Sequence, residues 1–312
     1  MVCLMKIDAT PSEAARGPAQ QSSAPCEPGR SPMQRIKALI SCICFFMASG
    51  AAAGAGLAAD TLRINGSGSC LDLMKPLIQA YEKINRDVRV EMEPPLGSSG
   101  AVKALVAGSL DLAVNGRPLR PEEAAKGAHQ QPYGRTPLAI VAGNGCPVTN
   151  ITTRELEAIY NGTTTRWRNG EIIRLVLRPR EDIDTRIMRS LSPGMDGAVS
   201  AALARPGMIV AVTDTDAYQT IVKTPGSLGA VGLTSVLVNR LPLVTLTLNG
   251  VRPLPRAVAS GAYPLAKEIV FVTRPAPPPA VRKFLDFVHS PQGRAIAEKA
   301  GVLVAARHAP HE

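Results

Sequence analysis

A strand pattern that runs into a glycine/serine turn and then into a helix occurs twice near the start of the chain, and this unit limits the folds open to the sequence. Residues 61–64 and 88–93 have strand patterns, residues 65–70 (NGSGSC) and 96–100 (LGSSG) follow them, and apolar residues at helical spacing come next. A helix that starts directly after a strand points its free N-terminal N–H groups and the positive end of its dipole at one place. Each copy is therefore suited to hold an anion, although a serine that only caps its helix would give the same pattern.

The alternation of strand and helix continues along the rest of the chain. Residues 175–177 form another strand pattern, and the polar loop after it leads into a helix for which Asp184 is a candidate N-cap. Thr152 and Glu155 form a capping-box pattern at a further helix start. Such alternation predicts an α/β fold with mostly parallel sheets flanked by helices. With 312 residues, 45% of them hydrophobic, the chain can form one large or two mid-sized domains. Two α/β lobes would place a ligand in the crevice at the carboxyl ends of the strands.

Composition narrows the classes of partner. The formal net charge of +10 favours anionic partners, but the basic residues are scattered and aromatic residues make up only 4%, which argues against nucleic-acid binding. The histidines and cysteines do not cluster at metal-ligand spacing, so neither a metal nor a cofactor is predicted. No pattern pairs a nucleophile with a base, which disfavours a secreted hydrolase; the chain is not predicted to be an enzyme.

The first 59 residues have the pattern of a targeting segment. Arg35 and Lys37 precede an apolar run at residues 38–47, and small residues then lead to Ala59. This pattern predicts a signal peptide with an upstream segment and a periplasmic mature protein. Translation starts at Met1 or at Met33; the sequence leaves this open.

Two of the six cysteines, Cys70 and Cys146, lie in the predicted mature chain. A disulfide between them is permitted in an oxidising compartment but is not implied. Cys70 is a ligand contact, a buried small side chain or a disulfide partner, and the sequence does not choose among these.

Seven short motifs in a fixed order give the chain its resemblance to a known family. It resembles the phosphate-type substrate-binding proteins of ABC importers, which have the two-lobed periplasmic binding protein fold. The resemblance covers nearly all of the mature chain. It rests on GSGS at 66–69, GSSG at 97–100, residues 111–123 around Arg117-Pro118-Leu119, LxxIYxG at 156–162 with Trp167, GSLG at 226–229, GAYPL at 261–265 and FLDFVxSPxG at 284–293.

The resemblance implies a chain that crosses twice between lobes. Residues 60–138 plus 249–312 are expected to form the first lobe and residues 139–248 the second. An anion is clamped in the cleft between them, the permease subunits of an importer are the partners, and the protein is a monomer. A binding or sensor module of the same fold, without transport, remains the alternative.

Candidate ligand-binding residues come from the two turns and from positions that match the family's motifs. Arg178 or Arg180 is similar in place to the family's cleft arginine; a salt bridge to a neighbouring carboxylate is the alternative for both. Trp167 is interpreted as a core residue. The complete set of candidates is Ser67, Ser69, Cys70, Ser98, Ser99, Gly100, Arg117, Arg178 and Thr185.

The chain departs from the family's pattern where a phosphate would be held. Asp182 and Asp184 stand where the family has neutral donors, Gly116 stands where some phosphate binders have an aspartate, and Cys70 replaces a hydroxyl. An unpaired carboxylate close to a buried dianion is costly. The cleft is therefore predicted to bind an anion but to bind inorganic phosphate weakly or not at all.

Overall fold

Strands and helices alternate along residues 60–306, the part of the chain that the computed structural model describes. The strands are β1 (Asp60–Gly66), β2 (Val88–Met92), β3 (Leu112–Asn115), β4 (His129–Ala142), β5 (Asn150–Ile151), β6 (Arg174–Leu177), β7 (Ile209–Val210), β8 (Ser227–Gly232), β9 (Val244–Thr245), β10 (Thr247–Leu248), β11 (Ala266–Thr273) and β12 (Leu303–Val304). The helices are α1 (Gly68–Ile84), α2 (Gly97–Val106), α3 (Pro121–Ala124), α4 (Thr153–Asn161), α5 (Ile183–Arg189), α6 (Pro193–Ala204), α7 (Asp214–Lys223), α8 (Leu233–Val238), α9 (Pro255–Ala259), α10 (Pro279–His289) and α11 (Pro291–Lys299). None of these helices has both the length and the apolar character needed to cross a bilayer. The predicted signal peptide lies outside the described residues.

One ten-stranded sheet carries most of these strands, in the order β2-β1-β3-β11-β4-β8-β6-β7. β1 is parallel to β2 and β3, and β6 is parallel to β7 and β8. Between these two parallel groups lie β11 and the long strand β4, which run antiparallel to their neighbours. The short strands β9 and β12 also pair with β4, while β5 and β10 form a separate parallel ladder. The predicted α/β class with mostly parallel sheets flanked by helices is confirmed.

The C-terminal part of the chain packs on the N-terminal strands. β11 pairs with β3, and one hydrophobic cluster joins apolar residues of β1 and α1 to those of α10. In this cluster the ring of Tyr81 meets the ring of Phe284 edge to face, with centroids 5.1 Å apart. The lobe boundaries predicted above, 60–138 plus 249–312 and 139–248, stay a prediction.

A second hydrophobic cluster lies around α4, α6 and the second half of β4. It contains Trp167, whose indole N–H donates a 3.0 Å hydrogen bond to the Gly226 carbonyl, so the interpretation of this residue as core is confirmed. The predicted capping box is also present, because Thr152 and Glu155 bond each other's backbone N–H groups at the start of α4.

Sequence periodicity predicted the buried face of α1 well, except at its last turn. Apolar residues recur at helical spacing from Leu71 to Ile84, which predicts one buried face. Residues of this face such as Leu77 and Tyr81 are buried, whereas Ile84 is 62% exposed. At the other end of the helix, Gly66 lets the chain pass very close to β3. A Cβ atom at this position would lie 1.9 Å from the Val114 carbonyl oxygen, so only glycine fits. This contact places the start of α1 beside the end of β3.

The start of α5 differs from the prediction. The N-cap is Asp182, whose side chain accepts a 2.9 Å hydrogen bond from the Asp184 backbone N–H. Asp184 lies inside the first turn instead, and its side chain is buried. Both aspartates fit a helix start by sequence, and the burial of Asp184 decided between them.

Candidate functional site

A cleft of about 280 Å³ opens at the carboxyl ends of five strands. Its walls come from the segments that follow β1, β2, β3, β6 and β7, which is where ligands bind in α/β sheets. They consist of Ser67 and Gly68, residues 95–99, Arg117 and Arg120, residues 178, 181–183 and 186, and residues 212–214.

The start of α2 forms one wall of the cleft. Leu96 occupies the N-cap position and cannot cap with its side chain, so the first-turn N–H groups receive no capping bond. Gly97 adopts a φ of 71°, which turns the chain into the helix. Ser98 Oγ accepts a 3.0 Å hydrogen bond from the Gly116 N–H, and Ser99 Oγ accepts one of 2.9 Å from Arg117 Nη2. Each serine hydroxyl therefore keeps its own O–H as a donor.

The start of α1 already faces an anion, the carboxylate of Asp214. The Ser69 backbone N–H hydrogen-bonds to this carboxylate. Gly68 makes the approach possible, since a Cβ atom there would lie 2.8 Å from the Asp214 carboxylate. The Ser67 side chain makes no capping bond, and its Oγ is buried without a hydrogen-bond partner among the described residues. Of the two anion-suited helix starts, one thus holds an internal carboxylate and one is open.

Asp214 belongs to a buried group of charges centred on Lys267. Lys267 Nζ forms an ion pair with Asp184 Oδ1 at 2.7 Å and donates a 2.8 Å hydrogen bond to Asp214 Oδ1. Arg178 Nη2 donates a 2.7 Å hydrogen bond to Asp182 Oδ2 and lies 3.8 Å from Asp214 Oδ2. The group joins two cations to three carboxylates.

The geometry of this group moves the pKa values of its members in different directions. Burial raises the pKa of the Asp184 carboxyl, and the nearby Asp214 adds to this against the pull of Lys267. Burial would also raise the pKa of Asp214, but the nearby cations Lys267 and Arg178 have the larger effect. The pKa of Asp214 therefore lies below its usual value. For Lys267, burial would lower the pKa, and the two carboxylates more than compensate, so the net shift is upward. Lys267 is therefore an ammonium at any physiological pH.

The two candidate arginines, Arg117 and Arg178, differ in how many donors they have left. Arg117 forms a bidentate pair with Glu123, at 2.6 and 2.7 Å, and bonds the Pro118 carbonyl and Ser99 with the same two nitrogens. Arg178 uses Nη1 for the Ala211 carbonyl and Nη2 for Asp182, but its Nε has no partner among the described residues. Arg178 thus retains one buried donor that no described residue uses.

Five of the nine candidate residues line the cleft, namely Ser67, Ser98, Ser99, Arg117 and Arg178. The other four, Ser69, Cys70, Gly100 and Thr185, do not line it. Cys70 lies in the hydrophobic core, where burial raises its thiol pKa to about 12 against the pull of the nearby Lys267. Thr185 donates its hydroxyl to the Arg178 carbonyl and so supports the loop from behind.

The prediction that both aspartates of the third loop face the ligand is wrong for Asp184. Its side chain is 2% exposed and is paired with Lys267, whereas Asp182 does line the cleft. Sequence reasoning did not pick out Lys267, although a lysine in an otherwise apolar strand pattern was a usable signal. It gave Asp214 no role in the site either. Cys70 and Cys146 are both free, so the disulfide that the sequence permitted is not formed.

Residues 51–292 match a family model described as a PBP superfamily domain. The phosphate-binding protein PstS of Borreliella burgdorferi is 26% identical over 255 residues, which cover 77% of this chain and 88% of that protein. A structure described as a phosphate ABC transporter substrate-binding protein with bound phosphate, from Clostridium perfringens, matches with a TM-score of 0.67 at 20% identity, covering 79% of this chain and all of that one. An ABC-type phosphate transport receptor from Vibrio cholerae matches with a TM-score of 0.55 at 22% identity, covering 78% of this chain and 99% of that one. The relatives are thus substrate-binding proteins, and the structural likenesses show a shared fold.

Proposed function

The chain belongs to the PBP superfamily, and on this premise we propose that it is an extracytoplasmic solute-binding protein that captures a small anion in the cleft for an ABC importer. The observation that carries the proposal is the uncapped start of α2, which faces a cleft lined by Ser67 and Arg178, each of which has one buried donor without a protein partner, Ser67 Oγ and Arg178 Nε. Unpaired buried donors are rare and costly unless a ligand or water satisfies them. The names of the relatives support the anion class and the transport role.

Inorganic phosphate is a weak ligand in this proposal. Asp182 and Asp214 both line the cleft, and a phosphate dianion placed at the start of α2 would meet their negative charge. Asp184 does not contribute to this repulsion, because it is buried and paired with Lys267.

Replacing Ser67 by alanine is expected to weaken the binding of the preferred anion about tenfold, the order expected for one hydrogen bond to a charged group. Calorimetry with the wild type first ranks six anions by affinity: inorganic phosphate, sulfate, acetate, phenylacetate, methanesulfonate and benzenesulfonate. The affinity of the variant is then measured with the anion that binds most tightly.

Ser69→Ala is the matched control, because its hydroxyl is equally buried and unpartnered but does not line the cleft. It should leave the affinity unchanged. Equal losses of affinity in both variants would show that Ser67 does not contact the ligand. Binding of an uncharged or cationic solute, with none of the six anions bound, would refute the anion proposal itself.

Export is tested separately. Residues 1–59 direct the chain out of the cytoplasm and are removed, so the secreted protein is expected to begin near Asp60. Intact-mass measurement of the extracytoplasmic fraction checks this. A secreted chain that retains residues 38–47 would contradict it.

A further inference from the structure

The charges around the cleft nearly balance. Three of the four arginines on the walls pair with a carboxylate at 2.6 to 2.8 Å, Arg117 with Glu123, Arg178 with Asp182 and Arg186 with Glu181, and the wall residue Asp214 pairs with the buried Lys267 at 2.8 Å. Counting the charged wall residues and their direct ion-pair partners gives five cations and four carboxylates: Arg117, Arg120, Arg178, Arg186 and Lys267 against Glu123, Glu181, Asp182 and Asp214. The excess of one positive charge, together with the open start of α2, suits a single negative charge better than two.

Apolar side chains lie next to the donors in the same cleft. Leu96 immediately precedes the open start of α2 and is 53% exposed, while Val212, just before α7, is 69% exposed. Pro95 and Ile183 also line the cleft. A single exposed hydrophobic residue needs no explanation, but here four apolar residues from three separate segments contribute to one concave surface, which is the pattern of a binding site.

Burial separates the donors from the apolar residues. Ser67 and Arg178, which carry the unpartnered donors, are 5% and 7% exposed, whereas Leu96 and Val212 are largely exposed. A ligand in this cleft would therefore direct its charged group inward and its remaining part toward the apolar mouth. The volume, about 280 Å³, is close to the lower end of the roughly 300–1,000 Å³ typical of sites for organic ligands.

On the basis of the proposed function, we infer that the ligand is a singly charged organic acid with an apolar substituent. Its acid group binds between α2 and the two buried donors, and its substituent packs on Leu96 and Val212. The substituent is what distinguishes this ligand from a free oxyanion. Carboxylates and sulfonates share the required chemistry, and the experiment treats them as separate arms.

Calorimetry at pH 7.5 with the mature protein provides the test. Phenylacetate is compared with acetate, benzenesulfonate with methanesulfonate, and all four with inorganic phosphate and sulfate. In at least one of these two pairs, we expect the phenyl compound to bind at least about tenfold more tightly than its methyl counterpart. It should also bind at least about tenfold more tightly than phosphate and sulfate. A tenfold gain is the order expected for burying part of an apolar surface. Inorganic phosphate or sulfate binding more tightly than all four organic anions would overturn the inference and leave the anion proposal standing.

Val212→Ser is expected to weaken binding of the better phenyl compound about tenfold while leaving the affinity of its methyl counterpart unchanged. Val210→Ser is the matched control, since Val210 is also exposed, at 44%, but lies outside the cleft. Both substitutions are at the surface, so both variants should fold. Equal effects of the two variants, or none from Val212→Ser, would overturn the placement of the substituent, and failure of all six anions to bind would refute the proposed function as well.

Discussion

Replacing Lys267 by methionine is expected to lower the free energy of unfolding by about 3–5 kcal/mol, the usual cost of removing one partner from a buried ion pair. Lys267 is fully buried and is the cation that touches both Asp184 and Asp214. Methionine fills a similar volume, so the loss comes from two carboxylates left in a poorly solvated place and not from a cavity. Urea denaturation followed by circular dichroism measures it.

The exposed Lys126 offers the control, because Lys126→Met should change the free energy of unfolding by less than about 0.5 kcal/mol. Adding Asp184→Asn to Lys267→Met should restore part of the loss, since it removes one of the two stranded charges. A Lys267→Met protein as stable as the wild type would mean that the buried carboxylates are neutral and that the ion pairs described above do not hold the cleft together.

A second large effect is expected at Glu123. Glu123→Gln should lower the free energy of unfolding by about 3 kcal/mol at pH 7, because it breaks a bidentate pair in which both side chains are nearly buried. The bonds from Arg117 hold the pKa of the Glu123 carboxyl below its ordinary value. A carboxyl whose pKa is lower in the folded state stabilises the fold above its unfolded pKa of about 4.3, and that stabilisation is lost as the pH falls through the folded value.

The difference between wild type and Glu123→Gln should therefore be constant from about pH 5 to 8 and should shrink below about pH 4. Glu122→Gln on the same helix is the control, because Glu122 is exposed, and it should leave the stability nearly unchanged at every pH. If the difference in the free energy of unfolding stays constant down to pH 3, the loss comes from packing and not from the charge of Glu123. Glu123→Gln should also loosen Arg117, which bonds Ser99 at the start of α2.

Short-range patterns in the sequence predicted much of this fold. The turn before α2, the capping box of α4 and the buried face of α1 follow from spacings of two to four residues, which fix local hydrogen bonds and the direction of side chains. The errors fall at helix ends. Ile84 is exposed in the last turn of α1, and Asp182 replaces Asp184 as the cap of α5, because packing against other elements decides which residue of the last or first turn is buried.

The sequence by itself determined the strand–turn–helix units and the α/β class, because both depend on neighbours along the chain. The turns and the positions of the family's motifs also predicted five of the residues that line the cleft. Only the tertiary structure decided which charges meet. Lys267 and Asp214 are 53 residues apart, and they come together because β11 lies next to β3 in the sheet, close to the start of α1. Burial then made their pairing strong enough to fill one helix start with an internal carboxylate, which left the other helix start open for a ligand.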